Sequence, residues 1–417
     1  MTGITTGVIG GGWRATVTEY GAIQPWAGGT PLDWHVAADD RWHSPEHEPA
    51  VRQHRVQGTA VVETRLRIPD GDAVQRVYSV PDGGGLTIVE IENDSPLPIA
   101  VAFTHPDVLS LRPPSAPIEG IGLPAGSVAF PIGHHASLTV AIAHDGRCAG
   151  ALPSGLPTAE GVVRGWTSIT ERASRLLLPD DALAERVIAE RCELALVGPE
   201  HPDDDPVAFL LGLGQLVRMG DKAVEWVPDV AHALELAAKR AVHDWALAAA
   251  IDATDHVLAA AGEQRARRDL EAVRARLACS SSLPAAAPGE RAHFLTWAER
   301  RIVDIAGGGA RLFAGGLPTG WEGSNFEVYG LPTGATGSVS FAVRWHGERP
   351  AVLWEQSGAA TQLTAPVLAP QWRTTEPKGE ALWPAPPGAA PAASAVPAVA
   401  PTADDVAQIP AEGGSFS

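Results

Sequence analysis

The chain has 417 residues, 45% hydrophobic and 19% charged, with 31 Lys and Arg against 49 Asp and Glu for a formal net charge of −18. That length exceeds the roughly 250–300 residues at which one hydrophobic core stops growing, and the apolar content excludes a globally disordered chain, so more than one packed unit is expected. The acidic balance opposes the counterion-release term that dominates nucleic-acid binding, no apolar run reaches the roughly 20 residues of a membrane span, and Met1–Trp13 lacks a signal-peptide pattern; nucleic acid and membrane are excluded as expected partners and a cytoplasmic protein is expected.

Residues Thr5 to about Trp166 consist of short extended runs such as Ala60–Ile68, Ala73–Val80, Leu86–Glu92, Pro98–Thr104 and Ala136–Ala143. Turn residues separate them, as in Pro69-Asp70-Gly71-Asp72 and Asn93-Asp94-Ser95-Pro96. Many β-rich runs at short spacing predict an antiparallel sandwich over 1–175.

The texture changes near Leu176. Leu178-Pro179-Asp180-Asp181 leads into Ala182–Val197, whose apolar residues track one helical face behind an Asp cap. After an acidic break at Pro199–Pro206, helices are predicted over Val207–Met219, Asp229–Asp252, Thr254–Cys279 and Pro288–Ala306, making 176–306 an all-α region of about five helices.

Gly307-Gly308-Gly309 ends that region, and 307–383 reads as a small β unit. Gly337–Trp345 alternates cleanly and Ala351–Gln356 returns after a turn, a predicted hairpin that sets Trp345 and Trp354 on neighbouring strands as either sugar platform or core. From 384 to 417 the chain is Pro/Ala-rich and predicts a disordered tail. The fold class expected is therefore multi-domain α+β.

The order of sandwich, Leu-Pro-Asp-Asp linker, helices and small β unit resembles the glucoamylase-like and maltose-phosphorylase-like glycoside hydrolases and phosphorylases. In that group an N-terminal supersandwich feeds an (α/α)6 barrel. The likeness is carried by Leu86–Thr104, Leu176–Val197 and Tyr329–Glu355. It implies a glucan or oligosaccharide as partner. Twelve helices cannot fit between 182 and 306 at roughly 11–12 residues each plus loops, so the barrel is expected to be truncated and its acid and base lost.

Two clusters suit sugar chemistry, because carboxylates bind hydroxyls and Trp faces stack on sugar rings. Trp321-Glu322-Gly323-Ser324-Asn325 lies in a Gly-rich loop, with the alternative that Trp321 packs the loop onto a sheet while Glu322 is solvated. Glu225-Trp226-Val227-Pro228-Asp229 places two acids around a Trp, with the alternative that Asp229 caps a helix and Trp226 packs at its start. The catalytic candidates are thus Glu225, Asp229 and Glu322, and the substrate-binding candidates Trp226, Trp321 and Asn325.

His43-Ser44-Pro45-Glu46-His47 matches the HxxEH zinc pattern, but Pro45 between the ligands reads as loop, so no metal site is expected. No phosphate-cradling or nucleophile-elbow motif occurs, and no cofactor is expected. Cys148, Cys192 and Cys279 lack paired spacing and read as small apolar residues. Two functions follow: non-catalytic carbohydrate recognition, or assembly with a protein partner through the tail around Asp404–Ser417. The catalytic alternative is a hydrolase using a carboxylate pair in a Trp-lined cleft.

Overall fold

Alternation of apolar and polar side chains builds the N-terminal part. In a computed structural model that describes residues 3–386 apart from 39, 106, 116–125, 147–149, 241, 278 and 281, the strands Val51–Arg55, Val62–Ile68, Gly71–Val80, Leu86–Asp94 and Ser137–Ala143 pair antiparallel in one seven-stranded sheet. Its register aligns Val62, Val77, Val89 and Val140 in one cross-strand row, and such rows are the unit of sheet stabilisation. A four-stranded sheet of Val128–Ile132, Ile99–Phe103, Trp34–Ala37 and Trp42–His43 shares the core, filled by Trp34, Phe103 and Phe130. A three-stranded sheet, Gly3–Gly7, Arg14–Thr18 and Ile23–Pro25, completes it. The antiparallel β architecture expected here is present. The tail beyond 386, with Asp404–Ser417, and Cys148 lie outside the described residues.

One helix lies within the stretch read as extended. Helix α1 (Ala159–Thr170) starts at Thr158, whose hydroxyl accepts from the Gly161 N–H. It carries Val163 onto the outer face of the seven-stranded sheet, against Tyr78, Val80, Leu86 and Ile88.

The central helices are α2 (Asp181–Val197), α3 (Pro206–Met219), α4 (Val227–Arg240), α5 (Trp245–Ala260), α6 (Gln264–Arg276) and α7 (Arg291–Arg300). Asp180 caps α2 through the Leu183 N–H, as the sequence predicts. Asp205 and Asp244 cap α3 and α5. Helix α3 is buried nearly all round and packs against α2, α4, α5 and α7. At Gly214 a Cβ would sit 2.8 Å from the Ala253 Cβ, so glycine permits the close approach of α3 and α5. Three boundaries differ from expectation. The helix predicted over Asp229–Asp252 is two, α4 and α5, broken at the Asp244 cap; the one predicted over Thr254–Cys279 is the end of α5 followed by α6, broken at Gly262; and the one predicted over Pro288–Ala306 stops at Arg300.

Residues Val303–Ala306 instead form a strand, turning at Gly307-Gly308 into Gly309–Leu312. That hairpin joins Gln362–Ala365 and Ala369–Thr374 in a four-stranded sheet. A five-stranded sheet contains Phe326–Pro332, the predicted hairpin Gly337–His346 and Arg349–Gly358, and Lys378–Leu382. Its far strand, Arg175–Leu177, comes from the segment just before α2. Phe313, Phe326, Phe341, Trp354 and Trp383 fill the core between them, so Trp354 serves packing. Cys192 packs with Ala60, Trp166 and Leu196, and burial pushes its thiol up to about 12.

A buried ionic network ties the helices together beside this β unit. Arg191 of α2 spends all five N–H donors within it: on the Thr170 and Ser174 carbonyls, the Ser174 hydroxyl, Gln215 and Glu299. Glu299 of α7 accepts from Arg191 at 2.8 Å, Ser174 at 2.7 Å, Gln215 at 2.9 Å and Arg218 at 2.5 Å. Burial alone would raise the Glu299 carboxyl; Arg218 and Arg191 outweigh it and hold the group below its ordinary range. Desolvation lowers Arg191 to about 10, still protonated at neutral pH.

Candidate functional site

The strand period divides the outer face of the seven-stranded sheet into two halves. Tyr78, Val80, Leu86 and Ile88 form an apolar half that α1 covers. The other half is polar, because the register aligns Glu63, Arg76, Glu90 and Thr139 side by side across four strands. Here α1 does not close onto the sheet. A groove of about 970 Å³ opens between them, with Gln57, Glu160 and Arg164 at its rim.

The groove floor is fixed by hydrogen bonds. Arg76 Nε donates to Glu63 at 2.8 Å and its Nη1 to Glu92 at 2.8 Å, so one guanidinium bridges two carboxylates. Arg65 donates to the other Glu63 oxygen at 2.8 Å. Burial would raise the Glu63 carboxyl, but its bonds from Arg65 and Arg76 prevail and hold it below the usual range. The Tyr78 hydroxyl donates to Glu90 at 2.5 Å and is pushed well up, first by burial and then by that carboxylate. Carboxylate oxygens, guanidinium N–H groups and the Thr139 hydroxyl thus line one open surface in fixed positions, an arrangement suited to neutral ligands that both donate and accept.

No family model matches the chain, and no curated protein matches it either. The groove is therefore read from its own chemistry.

The residues singled out from sequence lie elsewhere, in and around two separate cores. Trp321 is 3% exposed and packs edge-on to Phe326 in the C-terminal core, so its face is not open to a ring. Glu322 beside it is exposed, and Asn325 Oδ1 accepts from the Trp345 N–H at 2.9 Å. Trp226 packs on the helical core, edge-on to Phe209, with its Nε1 donating to Asp221. Glu225 is exposed and pairs with Lys222 at 3.2 Å. Asp229 is exposed in the first turn of α4, which begins at Val227. The structure brings none of Glu225, Asp229 and Glu322 together across a Trp-lined cleft.

In the HxxEH segment Pro45–His47 forms one 3₁₀ turn, and His43 bonds Asp40 and Glu48 at 2.9 and 3.1 Å. Among the described residues no group of three or more His, Cys, Asp or Glu is placed to hold a metal ion. No helix among them is long and apolar enough to cross a membrane.

Sequence reasoning missed the groove although a signal existed. Glu63-Thr64-Arg65 and Glu90-Ile91-Glu92 alternate as half-buried strands do. What was absent was the register that sets Arg76 between Glu63 and Glu90.

Proposed function

We propose that the protein is a non-catalytic carbohydrate-recognition protein that binds an oligosaccharide in the groove between the seven-stranded sheet and α1. The observation carrying this reading is the Arg76 guanidinium bridging Glu63 and Glu92. An inverting hydrolase needs its two carboxyl groups roughly 6.5–9.5 Å apart with water between them, and one must hold a proton to give. Here an arginine fills the space between the pair, and Glu63 is held ionised. Such a floor positions hydroxyl groups, and the bridged Glu63 is not a proton donor. The groove volume falls in the range of roughly 300–1,000 Å³ usual for ligand sites. The sequence resemblance directs the first probe to α-glucans.

Retention on an immobilised α-glucan, together with an assay for released reducing ends, tests the proposal. Full-length protein is expected to be retained and to release no reducing ends. Glu92→Gln, which alters a partly exposed carboxylate, is expected to weaken affinity about tenfold, the scale of one hydrogen bond to a charged group. Retention unaffected by Glu92→Gln and by Arg76→Gln would reject the groove, and turnover would reject the non-catalytic reading.

A further inference from the structure

A second cavity, of about 70 Å³, lies where α3, α5 and α7 meet the C-terminal β unit. At roughly 10–15 Å³ per water it has room for about five waters, or one molecule of about six heavy atoms. Leu211, Ala249, Val303 and Ile305 give it apolar walls.

Among the described residues, two polar atoms on those walls show no hydrogen-bond partner, Arg218 Nη1 and His256 Nε2, of which the first is buried. Every N–H of Arg191 is satisfied, but Arg218, whose Nη2 bonds Glu299, keeps a buried Nη1 with no acceptor; its side chain is 11% exposed. Across the cavity, His256 Nδ1 lies 2.8 Å from the Ala335 carbonyl oxygen. A carbonyl only accepts, so Nδ1 carries the proton and, in the neutral ring, Nε2 presents a lone pair. Burial, the largest influence, and the Arg218 charge both lower the His256 titration and keep the ring neutral.

The charge at the Arg218 wall favours an anion. Arg191 and Arg218 share the single carboxylate of Glu299. Arg274, Arg300 and Arg311 share Asp252 and Asp304, with exposed Glu271 as a further partner of Arg274. Asp255, also near His256, is neutralised by Arg267 at 2.6 Å. In the cavity lining itself Arg218 and Arg300 balance Glu299 and Asp252, so the guanidinium excess is local to the Arg191–Arg218 pair that shares Glu299.

From these features we infer that the cavity binds a short hydroxycarboxylate, its carboxylate on Arg218 Nη1, its hydroxyl donating to His256 Nε2, and its carbons against Leu211, Val303 and Ile305. Phosphate fits less well, since the apolar walls would leave several of its oxygens without donors. The ligand differs in class from the glycan of the sheet groove, and the site stands or falls independently of it.

Calorimetric titration of the full chain with lactate, propionate, 1,2-propanediol and inorganic phosphate tests the assignment. Lactate is expected to bind saturably and at least tenfold more tightly than propionate, which lacks the hydroxyl, or the diol, which lacks the charge. Arg218→Met is expected to weaken lactate binding about tenfold or more. Because that substitution touches the Glu299 network, unaltered protein supplies a second readout: lactate should shift the His256 Nε2 nitrogen resonance at saturation. Absence of lactate binding, equal binding of the diol, tighter binding of phosphate, or an unmoved His256 resonance would each overturn the assignment.

Discussion

Trp321 and Glu299 show opposite relations between residue type and role. A Trp beside a Glu in a glycine-rich loop suits a sugar subsite by composition, yet Trp321 is enclosed by the C-terminal core. Trp321→Ala is expected to destabilise the protein by about 3–5 kcal/mol, read by urea unfolding, while leaving glucan retention of the folded fraction unchanged. Glu299 gave no sequence signal, sitting in an ordinary helix at Ala298-Glu299-Arg300, and its importance depends on partners from distant segments: Ser174, Arg191, Gln215 and Arg218. Glu299→Gln leaves two buried guanidiniums without their carboxylate and is expected to cost about 3–5 kcal/mol at pH 7. The pH dependence follows from the lowered folded-state titration. The stabilisation by Glu299 is fully present above its ordinary value of 4.5 and is lost as pH falls through the lower folded value. The gap in melting temperature between wild type and Glu299→Gln should therefore narrow as the solution is taken from pH 7 to about pH 3; a constant gap would contradict the ionic account.

At the scale of elements, the sequence was legible where local chemistry punctuates the chain. The Asp180 cap and the hairpin of Gly337–His346 with Arg349–Gly358 both match expectation, because caps and strict alternation are local signals. The α4–α5 break was not legible, since His243-Asp244 carries neither Gly nor Pro and apolar residues continue through it. Helix α1 was hidden by Gly161, Gly165 and β-branched residues, and it forms because Val163 and Trp166 bury against the sheet and α2. Asp205→Ala removes the acceptor for the Val207 and Ala208 N–H groups at the start of the central helix and is expected to cost about 1 kcal/mol by thermal unfolding. The strand Arg175–Leu177 marks a further limit: its pairing with Glu327–Tyr329 links segments about 150 residues apart, and no local pattern announces it.

Across the whole molecule, two β units flank a helical region; the groove lies within the N-terminal unit, and the ionic network and small cavity lie where the helices meet the C-terminal β unit. The acidic total charge conceals this, because carboxylates at Glu200–Asp205 and along helix surfaces outnumber the arginines drawn inward around Glu299, Asp252 and Asp304. The α+β class followed from texture. The site did not, because a groove made by four strands in register exists only once Glu63, Arg76, Glu90 and Thr139 are neighbours. The non-catalytic glycan reading rests on Arg76 of that row bridging Glu63 and Glu92. Amide chemical-shift mapping of the full chain with maltotriose tests it most directly. Shifts confined to Glu63, Arg76, Glu90, Glu92 and the facing end of α1, in slow or intermediate exchange and with the trisaccharide left intact, are the predicted result. Shifts clustered at Trp226 and Trp321, cleavage of the sugar, or no shifts at saturating maltotriose would contradict it.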